Sequence, residues 1–308
     1  MNNELLSIVI PVYNSEELLD ELFNSIHSTL NGKQAFEVVF VDDGSKDKSW
    51  EKIIALKANF PDKVRGIQLS RNFGQHNALV CGFSFAEGEL VMTMDDDLQH
   101  PPAEIPKLLK AYYEKKADVI YGIYNTNKQH SAARNAGSLF VQRSSKMVGG
   151  NPGVGSSFRL MKKTLADKIV YHKNQSHVFI DEILHWYTAR FASVEVEHHP
   201  RKAGKSGYTM YRLVMMYFDI LVNYTAIPLK LMTWIGLLSS FTTFWIGVRF
   251  IFRKFTHPHV QLGFTAQIVA ILFSTSLLMF CMGIIGQYMY KIYHLQSRRP
   301  SWSIAEVL

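Results

Sequence analysis

The sequence predicts an α/β domain, a mostly parallel sheet flanked by helices, followed by a two-helix transmembrane hairpin. Three observations predict it. Short β-rich runs alternate with amphipathic stretches through the first part of the chain. Two long uncharged runs, Leu231–Val248 (18 residues) and Val260–Tyr290 (31 residues), occupy the last third. The net charge of +7 is unevenly spread: 11 Lys/Arg face 2 Asp/Glu from Pro200 onward, and 22 face 24 before it.

The β-rich runs are Leu6–Val12, Phe36–Val41, Val64–Ser70, Glu89–Met94 and Asp118–Tyr121. They are nearly continuous in Val, Ile and Phe, as expected of strands covered on both faces. Between them Glu16–Leu30, Lys46–Phe60, Gln75–Ala86 and Ala103–Lys115 carry helical apolar spacing. Strand and helix alternating in this way form parallel sheets, and ligands then sit at the carboxyl ends of the strands. The charged and glycine-bearing motifs of this chain fall at those ends.

Each uncharged run is long enough for a hydrocarbon core of roughly 30 Å. The short polar stretch Arg249–His259 joins them, so both ends of the hairpin face one side. Arg201, Lys202, Lys205, Arg212 and Lys230 precede the first run and Lys291, Arg298 and Arg299 follow the second. They outnumber Arg249, Arg253 and Lys254 between the runs, which places the sheet domain on the cytoplasmic side of the cell membrane. The expected organisation is a cytoplasmic domain at 1–207, an amphipathic stretch at 208–229, spans at 230–252 and 262–290, and a cytoplasmic tail at 291–308. Tyr208–Tyr224 suits either an interfacial helix or a core helix. A basic, apolar final third points to an anionic membrane and away from nucleic acid. Leu6–Val12 is too short and too β-branched for a secretory leader. Cys81 and Cys281 make neither a disulfide framework nor a metal cluster.

The strongest motif is Asp95-Asp96-Asp97-Leu98-Gln99, directly after a buried strand. Successive carboxylates there are costly unless a cation neutralises them, and a hard divalent ion would also hold a diphosphate. In extended backbone Asp95, Asp97 and Gln99 share a face. A solvated acidic turn is the other reading. Asp42-Asp43-Gly44-Ser45 ends another strand: a carboxylate there suits a pyrimidine N–H, or Asp43 or Ser45 caps the next helix. After Pro11, Tyr13 offers a ring for base stacking, and Asn14 or Ser15 a helix cap. Arg71, beside the Gly74 turn that opens a helix, is a candidate anion site. Arg201, Lys205 and Ser206 suit a phosphate at the bilayer surface, or serve only as a positive flank. His198 and His199 lack partners at metal-ligand spacing.

Taken together, Ser70-Arg71-Asn72-Phe73-Gly74-Gln75-His76-Asn77-Ala78-Leu79, Asp95-x-Asp97-Leu98-Gln99-x-Pro101-Pro102 and Gly283-x-x-Gly286-x-Tyr288 resemble the family 2 glycosyltransferases of GT-A fold. More narrowly, they are similar to the polyprenyl-phosphate glycosyltransferases. The resemblance covers nearly the whole chain. It implies an inverting transfer of a sugar from a nucleotide-sugar, a UDP-sugar, to polyprenyl phosphate, with Mg²⁺ or Mn²⁺ as cofactor. It further implies that Pro11, Tyr13 and Asp43 bind the nucleoside, supported by Asp42, with Arg71 and Asp96 on the nucleotide. Asp95, Asp97 and Gln99 would hold the metal, and Arg201, Ser206, Lys205 and Arg134 the acceptor phosphate. A homo-oligomer, a tetramer, is implied by resemblance alone.

The chain departs from the family pattern in three places. Ser15 stands where many relatives have Glu, and Asp96 where close relatives have a small residue. Asp181 and Glu182 replace apolar residues. The last two are candidates for sugar contact, or line an exposed helix face. Were the acceptor a hydroxyl of a glycolipid or glycan, Asp181 would be the base. A non-catalytic membrane scaffold is a further alternative.

Overall fold

The computed structural model describes residues 4–123, 156–172, 180–197, 227–256, 264–296 and 300–308. They fall into two compact units: Met1–Ser206 with Arg299–Leu308, and Gly207–Arg298.

The first unit is built on one sheet of eight strands among the described residues: β1 (Leu6–Val12), β2 (Phe36–Asp42), β3 (Val64–Leu69), β4 (Leu90–Thr93), β5 (Val119–Ile123), β6 (Arg159–Lys162), β7 (Phe191–Glu195) and β8 (Ile304–Val307). Their spatial order is β7-β5-β6-β4-β1-β2-β3-β8. The pairs β1–β2, β1–β4, β2–β3 and β5–β7 are parallel. The pairs β3–β8, β4–β6 and β5–β6 are antiparallel. The helices are α1 (Leu19–Leu30), α2 (Ser49–Asn59), α3 (Gln75–Phe85), α4 (Ile105–Lys115), α5 (Lys163–Tyr171) and α6 (Ile180–Tyr187).

Every residue of β1 and β2 is buried, because helices cover both faces. Alternate side chains separate cleanly. Ile8, Ile10 and Phe40 join one apolar cluster with α1, α2 and α4. Val9, Val39 and Val41 join the other with α3, α5 and α6. The second face packs tightly: a Cβ on Gly82 of α3 would lie 2.3 Å from Val9 Cγ1. Pro11 lies within β1 and does not end it. The Val9 carbonyl accepts Met94 N–H, so alternate residues of β1 face β4. The β1–β4 ladder stops at Val9, so the N–H that Pro11 lacks has no partner to serve.

The second unit contains two long helices, α7 (Ile227–Thr256, 30 residues) and α8 (Phe264–Gln296, 33 residues). Over the described residues no helix is long and apolar enough to cross a membrane, so the transmembrane hairpin expected from the sequence is not shown. The stretch expected at 208–229 lies outside the described residues up to Ile227, where α7 begins. Residues 291–296 continue α8, and the chain returns to the sheet as β8.

Candidate active site at the carboxyl ends of the strands

Three loops meet where β1, β2 and β4 end. β4 stops at Thr93, and Asp95–Gln99 lie in a turn rather than in extended backbone, with Leu98 at φ 58°. The alternation expected to put Asp95, Asp97 and Gln99 on one face therefore does not hold. Hydrogen bonds arrange the carboxylates instead. Asp95 accepts Gln75 Nε2–H at 2.6 Å through Oδ1 and Ser157 Oγ–H at 2.6 Å through Oδ2. Asp97, only 6% exposed, accepts the Gln99 N–H through Oδ1 at 3.1 Å.

Asp96 bonds to a different loop. Its Oδ2 accepts Ser15 Oγ–H at 2.5 Å and Tyr13 N–H at 3.3 Å, tying the acidic turn to the loop after β1. Burial pushes its carboxyl up to about 6, against the lowering effect of those two bonds. Ser15 and Asp96 are thus bonded to each other. Tyr13 is 45% exposed, with its ring open to a stacking partner. Neither Asn14 nor Ser15 caps α1, whose N-cap is Leu18 with no side-chain bond. Asn14 takes φ 54° and accepts Lys46 N–H at 2.8 Å, joining the loops after β1 and β2.

The loop after β2 is held from below. Asp42 is fully buried and accepts Ser45 N–H at 3.1 Å. Asp43 accepts Phe73 N–H at 2.7 Å and Gly74 N–H at 2.9 Å, one on each oxygen. Burial raises both carboxyls above the ordinary range. Neither Asp43 nor Ser45 caps α2, whose N-cap is Lys48 with no side-chain bond; Asp47 accepts the Ser49 N–H at 3.1 Å. Gly44 has φ 68°, and a Cβ there would lie 2.6 Å from the Arg71 carbonyl carbon, so no other residue fits. Arg71 is exposed, its guanidinium 4.7 Å from the Phe73 ring centre.

β6, paired with β4, carries a buried arginine that sequence reasoning missed. Arg159 on β6 is 2% exposed and donates from Nη1 to Asp181 Oδ1 at 2.6 Å. Tyr121 donates to the same oxygen at 2.8 Å. Asp181 therefore holds a buried cation and a phenol through Oδ1. Burial, then the Arg159 charge, lowers His76 to about 4 and keeps its ring neutral. Arg159 opens the short Arg-Leu-Met-Lys strand β6, and the pairing Thr93↔Arg159 sets it beside the end of β4, where the acidic turn begins.

Arg134, Arg201, Lys205 and Ser206, with His198 and His199, lie outside the described residues. Among the described residues no group of three or more His, Cys, Asp or Glu forms a ready-made metal shell. The donor set still suits a hard divalent cation: Asp95 and Asp97 supply carboxylate oxygens two residues apart, and a bound diphosphate would supply more.

A model of glycosyl transferase family 2 matches residues 7–170, which contain β1 from its second residue, β2 to β6 and the loops that bear Asp43, Arg71 and Asp95–Gln99. The chain belongs to glycosyl transferase family 2. It is 34% identical over 310 residues to an undecaprenyl-phosphate 4-deoxy-4-formamido-L-arabinose transferase of Proteus mirabilis, covering 98% of this chain and 94% of that one. A protein of the same name from Yersinia pestis is 32% identical over 315 residues, with 98% and 93% covered. Among solved structures, glucosyl-3-phosphoglycerate synthase of Mycobacterium tuberculosis with phosphoglyceric acid superposes at TM-score 0.52 and 15% identity, over 71% of this chain and 78% of that one. The same enzyme with Mn²⁺, UDP-glucose and phosphoglyceric acid superposes at TM-score 0.51, with the same identity and coverage. Like its relatives, this family 2 protein is a glycosyltransferase.

Proposed function

We propose that the enzyme transfers a sugar from a UDP-sugar to polyprenyl phosphate, with inversion, at the cytoplasmic face of the membrane. The observation that carries the reading is the junction of loops around Asp43, Asp96 and Asp97, in a chain similar over 98% of its length to named undecaprenyl-phosphate sugar transferases. Tyr13 stacks on the uracil and Asp43, fixed by two backbone N–H groups, accepts its ring N–H. Asp95 and Asp97 hold Mg²⁺ or Mn²⁺, with Gln99 beside them, and this ion supplies charge neutralisation for the departing diphosphate. Arg71 adds a cation near the phosphates.

The acceptor oxygen attacks the anomeric carbon from the face opposite the UDP oxygen. The new C–O bond forms as the old one breaks, and UDP carries off its electron pair. A phosphate monoester is ionised near neutral pH, so the attack needs no strong base. Positioning remains, and Arg201, Ser206, Lys205 and Arg134 are assigned to the acceptor phosphate. A hydroxyl acceptor would instead need a base such as Asp181, which is bonded to Arg159 and Tyr121.

Membrane anchoring is part of the proposal. α7 and α8 measure about 45 and 50 Å at 1.5 Å per residue. Trp234, Leu238, Phe241, Phe273 and Met279 are 67–70% exposed, which suits lipid and not water.

The test uses the purified protein in detergent with Mn²⁺ or Mg²⁺, undecaprenyl phosphate, undecaprenol and diacylglycerol in parallel, and a panel of UDP-sugars. Mass spectrometry is expected to find one sugar on undecaprenyl phosphate alone. Product on undecaprenol or diacylglycerol would overturn the acceptor assignment.

A further inference from the structure

Residues 300–308 follow both long helices in sequence, yet they complete the sheet edge beside the nucleotide loops. β8 pairs with β3 through Ile67↔Val307, Gln68↔Glu306 and Leu69↔Ile304. Past the end of β3, Ser70 N–H donates to the Ser303 carbonyl at 2.8 Å, and Leu308 N–H reaches the Gly66 carbonyl at 2.9 Å. Glu306 accepts Trp50 Nε1–H at 3.2 Å, which ties β8 to α2 as well. Trp302 packs against the apolar cluster that contains Leu69 and Val41 and takes in Phe73.

Ser70 is the first residue of the loop that runs through Arg71 and Phe73 to Gly74. Asp43 grips the far end of that loop, and its middle presses on Gly44. The near end is held by β8. Without residues 300–308, β3 becomes a bare edge with unpaired backbone groups, and a loop leaving such an edge opens at low cost.

We propose that residues 300–308 are a positioning element of the donor-nucleotide site. By anchoring Ser70, and with Trp302 packed against the same apolar cluster as Phe73, the strand keeps the Ser70–Gly74 loop seated on Asp43, with Arg71 toward the phosphates. The proposal rests on the UDP-sugar reading and adds to it a segment far from the nucleotide motifs in sequence. It makes donor affinity depend on the part of the chain that follows the long helices.

The experiment compares the full chain with one ending at Arg299, both in detergent with Mn²⁺, by calorimetric titration of UDP. Shortening the chain is expected to weaken UDP binding at least about tenfold, roughly 1.4 kcal/mol, and a synthetic peptide of residues 300–308 to recover most of it. Trp302→Ala in the full chain decides the matter if the shortened chain does not melt cooperatively. It is expected to raise the donor KM about fivefold, with kcat and the undecaprenyl-phosphate KM within about twofold, a split that general loosening would not produce. UDP affinity within twofold of the full chain in a folded shortened protein, or an unchanged donor KM in Trp302→Ala, overturns the proposal and leaves the donor reading standing. A full chain that binds no UDP overturns both.

Discussion

Asp95, Asp96 and Asp97 are adjacent in sequence and do different work because their hydrogen-bond partners differ. Asp95 is held by Gln75 and Ser157, Asp96 by Ser15 and Tyr13, and Asp97 accepts the nearby Gln99 N–H. Asp97→Asn keeps the shape and an acceptor oxygen but removes the charge that a divalent ion needs. It is expected to lower turnover by at least about a thousandfold while leaving the thermal midpoint within a few degrees. Activity retained at saturating Mn²⁺ would count against this residue as a ligand. Asp181→Asn should behave in the opposite way. It leaves the buried Arg159 without its counter-charge, and Asp181 itself is partly exposed, so the loss is about 2 kcal/mol of stability. A calorimetric melt with the midpoint unmoved would show that the pair is not structural.

Among the elements, the five strands named from sequence all form, β1 with the expected bounds Leu6–Val12. They were legible because both faces are covered, and continuous Val, Ile and Phe is what such burial selects. β6, β7 and β8 were not. Arg159–Lys162 is four residues with two cations, and its Arg is admitted to the core only by Asp181. β8 is an edge strand whose four residues are all exposed, so no alternation of buried and exposed side chains marks it. The nucleotide loops could be found from residue types and spacing, but their joints, Asp96 to Ser15 and Asp43 to Gly74, depend on chain crossings that no local pattern encodes. Asp118 is another such joint. At the start of β5 it binds Arg190 before β7 and Lys162 at the end of β6. Burial alone would raise its carboxyl, but the bonds from Arg190, Lys162 and Thr188 outweigh that and hold it at about 2. A carboxyl lowered on folding adds stability above its unfolded value of 3.8, and that stability is lost as pH falls toward 2. Asp118→Asn is thus expected to melt several degrees below the parent at pH 7, with the gap closing between about pH 4 and pH 2. A gap that stays constant across that range would refute the assignment.

For the whole molecule, the return of the chain to its starting sheet limits what lies between. β1 and β8 belong to one sheet, separated by both long helices. If the helices cross a bilayer, they must cross an even number of times, since β3 pairs with β8 on one side only. Two helices with a short connection at 257–263 would satisfy this with one crossing each, the arrangement that the positive flanks also favour. Single cysteines test it directly in intact cells with a membrane-impermeant maleimide. Cys281 on α8 is only half-buried and is first replaced by Ser; Cys81 is buried, and burial pushes its thiol up to about 12, so it will not compete. Thr256→Cys, at the end of α7, should label in intact cells. Ser301→Cys, just before β8, should label only after lysis. Labelling of both positions in intact cells would place the sheet domain outside. Labelling of neither before lysis would mean that α7 and α8 lie along the membrane instead of through it, and the enzyme would then meet its lipid acceptor as a surface-bound protein.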